Sequence, residues 1–334
     1  MESTVERACR MNSFWQAWRK DIIRGAALFA GVIVVGVTVR HMVNRAKQRL
    51  AELPASIVSQ LQENFGDVRN LEGLNHFNPD IRTGVRRSAD PWTYRAKLEA
   101  KQWVWLRTTN GSVTAEPASG DSLEVVGVKT YGRSDPATVT FVAVPYDGGV
   151  AICAVWQRGG GRCGPGGRGG GGGGLGTVFR QGSAHGNDVV VDFTVRLPRG
   201  VRLGATTVNG SVRVEGASAP LVAASVNGQV DAVTSRGPVS AVSVNGNVHA
   251  RMRAFDDTGE VSLVTVNGTA TAELPPELDA DVEAATVNGS ISTDYPLPVT
   301  GKFTSKHCKG TIGSGGRRIH VMTVNGSINL RKAT

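Results

Sequence analysis

The histidines are the residues of this chain whose type most readily suggests metal binding or proton transfer. His249 and His320 fall in alternating, strand-like segments, where a histidine that faces solvent or has a polar partner is the usual case. No Ser–His–Asp or Cys–His grouping has a sequence context that supports nucleophilic catalysis. The sequence therefore predicts no catalytic and no metal-binding residue. The six histidines are scattered, at His41, His76, His185, His249, His307 and His320.

Carboxylates give two further kinds of candidate site. Asp256, Asp257 and Glu260 form a small acidic group between two strand-like segments, which we interpret as a solvated turn rather than a calcium site. A polysaccharide-cleaving β-helix would need clustered carboxylates on one sheet, and the acidic residues of 187–334 are scattered in the sequence. This pattern favours a protein that is not an enzyme.

The glycine tract at 159–176, "GGGRCGPGGRGGGGGGLG", contains several matches to GxGxxG. No strand, turn and helix surround it, so the matches do not indicate a dinucleotide site, and we expect a disordered loop and no cofactor. Cys153 and Cys163 lie around the start of this tract, and a loop of this length can close into a disulfide in an oxidising compartment. Neither cysteine has a CxxC partner or a nearby histidine, which argues against zinc.

The charge of the chain is concentrated near its beginning. The net charge is +9, and residues 1–50 hold nine Lys/Arg against three Asp/Glu. The second half is close to neutral, so the basic stripe typical of a nucleic-acid-binding face is not seen, and we expect no nucleic-acid partner.

The only strongly apolar run is "GAALFAGVIVVGVTV", at 25–39. It is long enough to span a bilayer if it extends over 22–43, with Arg24 and Arg40 reaching toward the headgroups. We predict a basic segment at 1–21 and an uncleaved transmembrane signal anchor at 22–43. A cleaved signal peptide and a buried or interfacial helix are the alternatives. Residues 44–104 are predicted as a helical stalk and linker, which would place the rest of the chain outside the cytoplasm.

Internal repeats dominate the remaining sequence. Val-Asn-Gly occurs six times, at intervals of 18, 18, 22, 21 and 37 residues. The long last interval suggests a degenerate copy with Lys309 in the Asn position and Gly310 after it. A further copy, Asn110 and Gly111, lies well upstream. The regular bends comprise Asn209, Gly210, Asn227, Gly228, Asn245, Gly246, Asn267, Gly268, Asn288, Gly289, Asn325 and Gly326.

Asn-Gly between strand-like segments is the strongest short signal for a hairpin, and a hairpin is one interpretation here. The apolar residues, however, keep a period of two through the motif, as in Val208, Gly210 and Val212. This continuity favours a bend in a solenoid, with the valine before each Asn facing inward and Cys308 in the same buried slot. A hydroxyl stands two before each Asn, and stacked hydroxyls and asparagines can form hydrogen bonds along the stack.

Upstream of the regular repeats, three segments alternate as strands: "SLEVVGVKT", "ATVTFVAVPYDGGVAICAVW" and "NDVVVDFTVRLP", with "YDGG" a true hairpin turn. We predict an all-β protein. Residues 105–200 form its N-terminal β part with the loop at 159–176, and residues 201–334 form a β-solenoid of short stacked coils.

These strands, the serial "TVNG" copies and the closing "GTIGSGGRRIHVMTVNGSINLRKA" resemble the bacterial "putative adhesin" family of β-strand-repeat proteins. The resemblance covers about residues 105–334. It implies a right-handed β-helix-like domain outside the cytoplasm, of unknown function, with no catalytic residues to transfer.

Two functions fit this sequence. The first is a membrane-anchored, non-enzymatic, adhesin-like surface module in the periplasm or at the cell surface, which binds an envelope or surface partner through one stacked face. The second is a structural scaffold of the envelope that self-associates through edge strands.

Overall fold

The computed structural model describes residues 86–88, 90–157, 163–164, 187–255, 259–301 and 306–333. Within these ranges the chain is all-β, as predicted, with one 3-10 turn at Pro136–Thr138 and no α-helix. None of its described segments is a helix long and apolar enough to cross a bilayer. The predicted anchor at 22–43, the stalk up to residue 85 and most of the glycine tract lie outside the described residues.

Eleven of the described strands form one sheet, which we name sheet A. Its spatial order is β1-β5-β8-β4-β10-β12-β14-β16-β22-β18, and β2 also pairs with β5. These strands are β1 (Arg86–Arg87), β2 (Trp92–Lys97), β4 (Val113–Pro117), β5 (Ser122–Tyr131), β8 (Val190–Leu197), β10 (Val212–Ala217), β12 (Val230–Thr234), β14 (Val248–Met252), β16 (Ala270–Leu274), β18 (Ile291–Thr293) and β22 (Ile328–Lys332).

The other eleven described strands form sheet B. Its spatial order is β19-β20-β17-β21-β15-β13-β11-β9-β3-β7-β6. These strands are β3 (Trp103–Arg107), β6 (Val139–Tyr146), β7 (Gly149–Trp156), β9 (Arg202–Asn209), β11 (Leu221–Asn227), β13 (Val239–Asn245), β15 (Val261–Asn267), β17 (Ala280–Asn288), β19 (Val299–Thr300), β20 (Lys306–Ile312) and β21 (Arg317–Asn325).

Each Asn-Gly joins a strand of sheet B to a strand of sheet A. The strands on its two sides do not pair with each other; each pairs in parallel with the equivalent strand of the next coil, for example Asn209 with Asn227. The hairpin interpretation of these motifs is therefore wrong, and the bend is confirmed. The result is a β-solenoid-like stack of coils.

The core lies between the two sheets and is built mostly from small and branched side chains. In the second regular coil, for example, Leu221, Ala223, Val230 and Ala232 are at most 1% exposed. A coil this short encloses a narrow interior, so stacked Ala, Val and Leu fill it without large voids.

The predicted side-chain phase at the bend needs correction. The hydroxyl residue before each bend, such as Thr207 or Ser225, is buried and lies two residues after an apolar core residue, on the same face of the strand. Val208 and Val226 point to the opposite face and are not part of the core cluster. The bend itself changes the alternation, so that Val212 returns to the core.

The predicted extra coil at Lys309 and Gly310 is wrong. These residues lie within β20, which runs antiparallel to β17, with Lys309 opposite Glu283. The long last interval is instead occupied by β19, β20 and their connections. Cys308 is nevertheless fully buried, opposite Ala284, and burial raises the pKa of its thiol, as expected for an unreactive cysteine.

The β structure begins earlier than residue 105. β1, β2 and the first two residues of β3 lie within the segment 44–104 that was predicted as stalk and linker. The sequence did not reveal β2 because its six residues give only three apolar–polar alternations, too few for a clear period. The three strand segments predicted upstream are confirmed as β5, β6 with β7, and β8. "YDGG" is a true hairpin, with Tyr146 paired with Gly149.

Candidate functional site

The asparagines of the bends form one continuous hydrogen-bonded ladder. Each side-chain amide Nδ2 donates to the Oδ1 of the preceding rung at 2.8–2.9 Å. The upstream copy Asn110 is the first rung, bonded by Asn209. In spatial order the rungs are Asn110, Asn209, Asn227, Asn245, Asn267, Asn325 and Asn288.

The hydroxyl two residues before each regular Asn donates to a backbone carbonyl of the neighbouring coil. Thr265 Oγ1 donates to the carbonyl oxygen of Gly246 at 2.8 Å, and Ser243 Oγ to that of Gly228 at 2.9 Å. The predicted hydrogen bonds between stacked hydroxyls are not formed; the hydroxyls instead satisfy the glycine carbonyls at the bend, which explains why a buried Ser or Thr recurs there.

The glycines of the bend are required by close backbone contact. A Cβ built on Gly246 would lie 2.2 Å from the Gly228 carbonyl oxygen, and one on Gly289 would lie 1.8 Å from that of Gly326. No side chain fits at these distances. We name the stacked Asn, Gly and hydroxyl residues the Asn-Gly corner, and its groups bond to one another.

Sheet A presents a different surface to solvent. The residues four and six positions after each ladder Asn alternate outward along its strands, and we name these two rows together the charged face. The first row is Thr114, Arg213, Asp231, His249, Thr271, Asn329 and Ser292, and the second is Glu116, Glu215, Val233, Arg251, Glu273, Arg331 and Asp294.

His249 lies at the centre of this face between two carboxylates. Its Nδ1 is 2.9 Å from Asp231 Oδ1 and its Nε2 is 2.9 Å from Glu273 Oε1. Arg251 Nε is 3.0 Å from the other oxygen of Glu273. Burial lowers the pKa of His249, but the hydrogen bonds and charges of Glu273 and Asp231 raise it by more, so the net pKa lies above its ordinary value. The contacts among Asp231, His249 and Glu273 link three adjacent strands, β12, β14 and β16.

A shallow groove of about 410 Å³ crosses the charged face at β4 and β10. Arg213 is 58% exposed, and its nearest carboxylate oxygen, on Asp231, is 3.9 Å away. Glu215 is also exposed. The groove therefore offers a cation, carboxylates and hydroxyls to a polar partner. Its lining consists of Ser112, Thr114, Ala115, Glu116, Ser211, Arg213 and Glu215.

The two cysteines predicted around the glycine tract are joined in the structure. Cys153, on β7, forms a disulfide with Cys163, with their Cα atoms 5.7 Å apart. The bond ties the start of the tract to the outer side of sheet B.

The remaining predicted candidates do not converge on a site. His320 Nε2 is 3.2 Å from Glu260 Oε1, and its Nδ1 is 3.7 Å from Glu283 Oε2. Within the described ranges, no group of three His, Cys, Asp or Glu residues could hold a metal ion. Asp256 and Asp257, and three of the six histidines, lie outside the described residues.

Sequence reasoning missed the charged face, and the signal was present. Asp231 and His249 are each four residues after a ladder Asn, and Glu273 is six residues after one. Aligning the repeats on their Asn would have placed these three residues on one surface. Scattered in the sequence, they are neighbours because the coils stack in register.

Comparison with known proteins finds a family model that matches most of the repeat region. The model of the family Toastrack DUF4097 matches residues 177–331. This match confirms the resemblance to the adhesin-like repeat family over those residues, within the range 105–334 that the sequence suggested.

Two solved structures are similar to this chain at low identity. A "putative cell adhesion protein" from Clostridium sporogenes ATCC 15579 is 13% identical, with a TM-score of 0.41, over 73% of this chain and 100% of that one. A "putative adhesin" from Bacteroides fragilis NCTC 9343 is 12% identical, with a TM-score of 0.33, over 74% of this chain and 98% of that one. No curated protein matches the sequence significantly.

Proposed function

Because residues 177–331 carry a Toastrack DUF4097 domain, a domain of unknown function, we propose a function from the geometry of the stack. The chain acts as a non-enzymatic, adhesin-like binding module outside the cytoplasm, held at the membrane by the segment 22–43. The observation that carries this proposal is the charged face, a surface that crosses successive coils and includes an open polar groove. Solenoids bind partners through extended surfaces of this kind.

The disulfide supports the proposed compartment. Cys153 and Cys163 are bonded, and such bonds persist mainly in oxidising environments outside the cytoplasm. External protease added to spheroplasts should therefore digest residues 50–334 of the native protein. Complete protection of this part, together with recovery of the protein in the cytosolic fraction, would contradict the proposed location.

The groove gives the sharpest test of binding. Arg213→Glu reverses the cation of the groove, and Arg318→Glu makes the same change at an exposed position on sheet B. In whole-cell crosslinking with the full chain, we expect Arg213→Glu to reduce capture of the envelope partner about tenfold, because charge complementarity guides association. Arg318→Glu should leave capture unchanged. Equal capture by both variants would exclude the groove as the contact surface.

The alternative, a self-assembling scaffold, finds less support at the end of the stack formed by β18 and β20. β20 runs antiparallel at one end of sheet B, and Tyr295 and Leu297, which follow β18, pack into the core. The Tyr295 hydroxyl shares its one hydrogen between two carbonyl oxygens, that of Pro275 at 2.8 Å and that of Leu274 at 3.1 Å. Filaments that grow by end-to-end stacking would have to displace these residues. Sedimentation velocity of the full chain in detergent should show a monomer at all concentrations, and filaments would favour the scaffold.

A further inference from the structure

The hydrogen bonds of the Asn-Gly corner run in fixed directions along the stack. Every side-chain amide of the ladder donates toward the Asn110 end, from Asn209 to Asn110 and finally from Asn288 to Asn325. The backbone N–H of each glycine donates the other way, to the Asn carbonyl of the next coil. These bonds run from Gly111, Gly210, Gly228, Gly246, Gly268 and Gly326, at 2.8–3.2 Å.

This polarity leaves one glycine nitrogen different from the others. Asn288 is the last rung, so no further coil offers a carbonyl to Gly289, and the Gly289 N–H has no hydrogen-bond partner among the described residues. Asn288 is also exposed, whereas Asn110, at the opposite end, is 7% exposed and its Gly111 N–H is bonded to Asn209. The two ends of the ladder are therefore chemically unequal.

Asn-Gly is the dipeptide whose side-chain amide is most readily lost, because glycine offers no side chain to hinder attack by its own nitrogen, and Asn is a thermolabile residue. The glycine nitrogen must lose its proton before it attacks the Asn side chain. A hydrogen bond from this N–H to a carbonyl oxygen of the next coil disfavours both the loss of the proton and the movement of the nitrogen. Six of the seven Asn-Gly sequences are protected in this way.

We propose that Asn288 is a site of spontaneous deamidation in the folded protein. The Gly289 nitrogen gives its proton to hydroxide and attacks Cγ of Asn288, and the Nδ2 group leaves as ammonia. The product is a five-membered succinimide. Water then opens this ring at either carbonyl carbon and leaves an aspartate or an isoaspartate at position 288. The step consumes one water and releases one ammonia, and nothing is oxidised or reduced.

The modification would change the end of the ladder. Nδ2 of Asn288 donates to Oδ1 of Asn325 at 2.8 Å, and a carboxylate in its place has no hydrogen to donate. A negative charge then faces the Asn325 oxygen. The terminal rung separates from the stack, and an isoaspartate also lengthens the backbone at the bend.

The test follows each Asn-Gly separately in the purified full chain. The protein is incubated folded in mildly alkaline buffer made with oxygen-18 water, so that deamidation during digestion is distinguished from that during incubation. Fragment-ion mass spectrometry then localises the product, which is needed because Asn267 and Asn288 share the tryptic peptide 254–302. Isoaspartate is counted with an isoaspartyl methyltransferase.

We expect Asn288 to react at least about tenfold faster than Asn227, Asn245 or Asn267, since interior rungs must first break two hydrogen bonds. In urea all seven sequences should react at similar rates. Asn288→Gln should abolish most isoaspartate from the folded protein, whereas the matched change Asn227→Gln should not. Equal rates at Asn288 and the interior rungs of the folded protein, or a faster rate at Asn110, would overturn the proposal.

Discussion

The Asn-Gly corner and the charged face lie only a few residues apart in every coil, yet they follow opposite rules. At the corner each coil repeats a hydroxyl residue, Asn and Gly, and bonds to the corner of the neighbouring coil in the same way: Asn side chain to Asn side chain, hydroxyl to glycine carbonyl, and glycine N–H to Asn carbonyl. On the charged face the same position holds Arg213 in one coil, Asp231 in the next and His249 in the one after that.

The difference follows from what each surface touches. At the corner, backbone atoms of neighbouring coils leave no room for a Cβ, so the residue type is fixed by close contact. The charged face borders solvent, where only strand-forming side chains are required. The residue type at a given position of the charged face can therefore change from coil to coil without loss of the fold. We expect the specificity for a partner to lie on that face.

The largest effect should come from a methyl group at the corner. Gly246→Ala places a Cβ 2.2 Å from the Gly228 carbonyl oxygen, so the backbones of two coils must separate. We expect the free energy of unfolding to fall by about 3 kcal/mol, measured by urea denaturation. Gly120→Ala is the matched control, since nothing lies within 4 Å of its Cβ. Equal losses in the two variants would show that the corner is not specially constrained.

A smaller loss should follow from removing one hydroxyl of the corner. Thr265→Val keeps the shape of this buried side chain but leaves the carbonyl of Gly246 without this donor. We expect a loss of about 1–2 kcal/mol in the free energy of unfolding, measured as above. Thr194→Val, at an exposed position of β8, should change it by less than about 0.5 kcal/mol. An unchanged free energy of unfolding in Thr265→Val would mean that this hydrogen bond makes no net contribution to stability.

The charged face should give the smallest effect, and one that depends on pH. Because the folded pKa of His249 is raised, its ion pairs stabilise fully below roughly pH 6.5, the ordinary value, and are lost as pH rises through the raised pKa. The difference in unfolding free energy between wild type and His249→Gln should therefore be larger in acid than in mild alkali, by less than about 1 kcal/mol.

Asp231→Asn provides the control for this titration. It removes one carboxylate partner of His249 but keeps the histidine, so the pH dependence should shrink without disappearing. A pH dependence that is unchanged in His249→Gln would assign it to other groups.

The sequence was sufficient to predict the stacked bends, because Asn-Gly with a hydroxyl two residues earlier recurs with little variation. The side-chain phase could not be predicted, since both Thr207 and Val208 suit a strand and both are buried, and only the geometry of the corner decides which one faces the core between the sheets. Lys309 matched the pattern superficially, but His307 stands where every true copy has a hydroxyl. The missing hydroxyl was a usable sign that this segment does not form a bend.

Other parts needed the register of the whole stack. The connections from sheet A back to sheet B differ in length, as Ser218–Pro220 and Arg253–Glu260 show, and they cause the unequal repeat intervals. The sequence shows that Asp231, His249 and Glu273 share one surface only when the repeats are aligned on their Asn and the connections of variable length are left out of the alignment. The charged face was therefore predictable in principle from aligned repeats, whereas the order of the final coils was not.

That final order has a consequence for how the chain is assembled. β21 lies between β15 and β17, and β22 lies between β16 and β18, so the last segment of the sequence enters between two segments made earlier. The first coils can form as the polypeptide emerges, but β17 and β18 have no parallel neighbour until residues 317–332 are available. Completion of the stack therefore waits for the final segment, and these late contacts between segments distant in sequence are expected to form slowly.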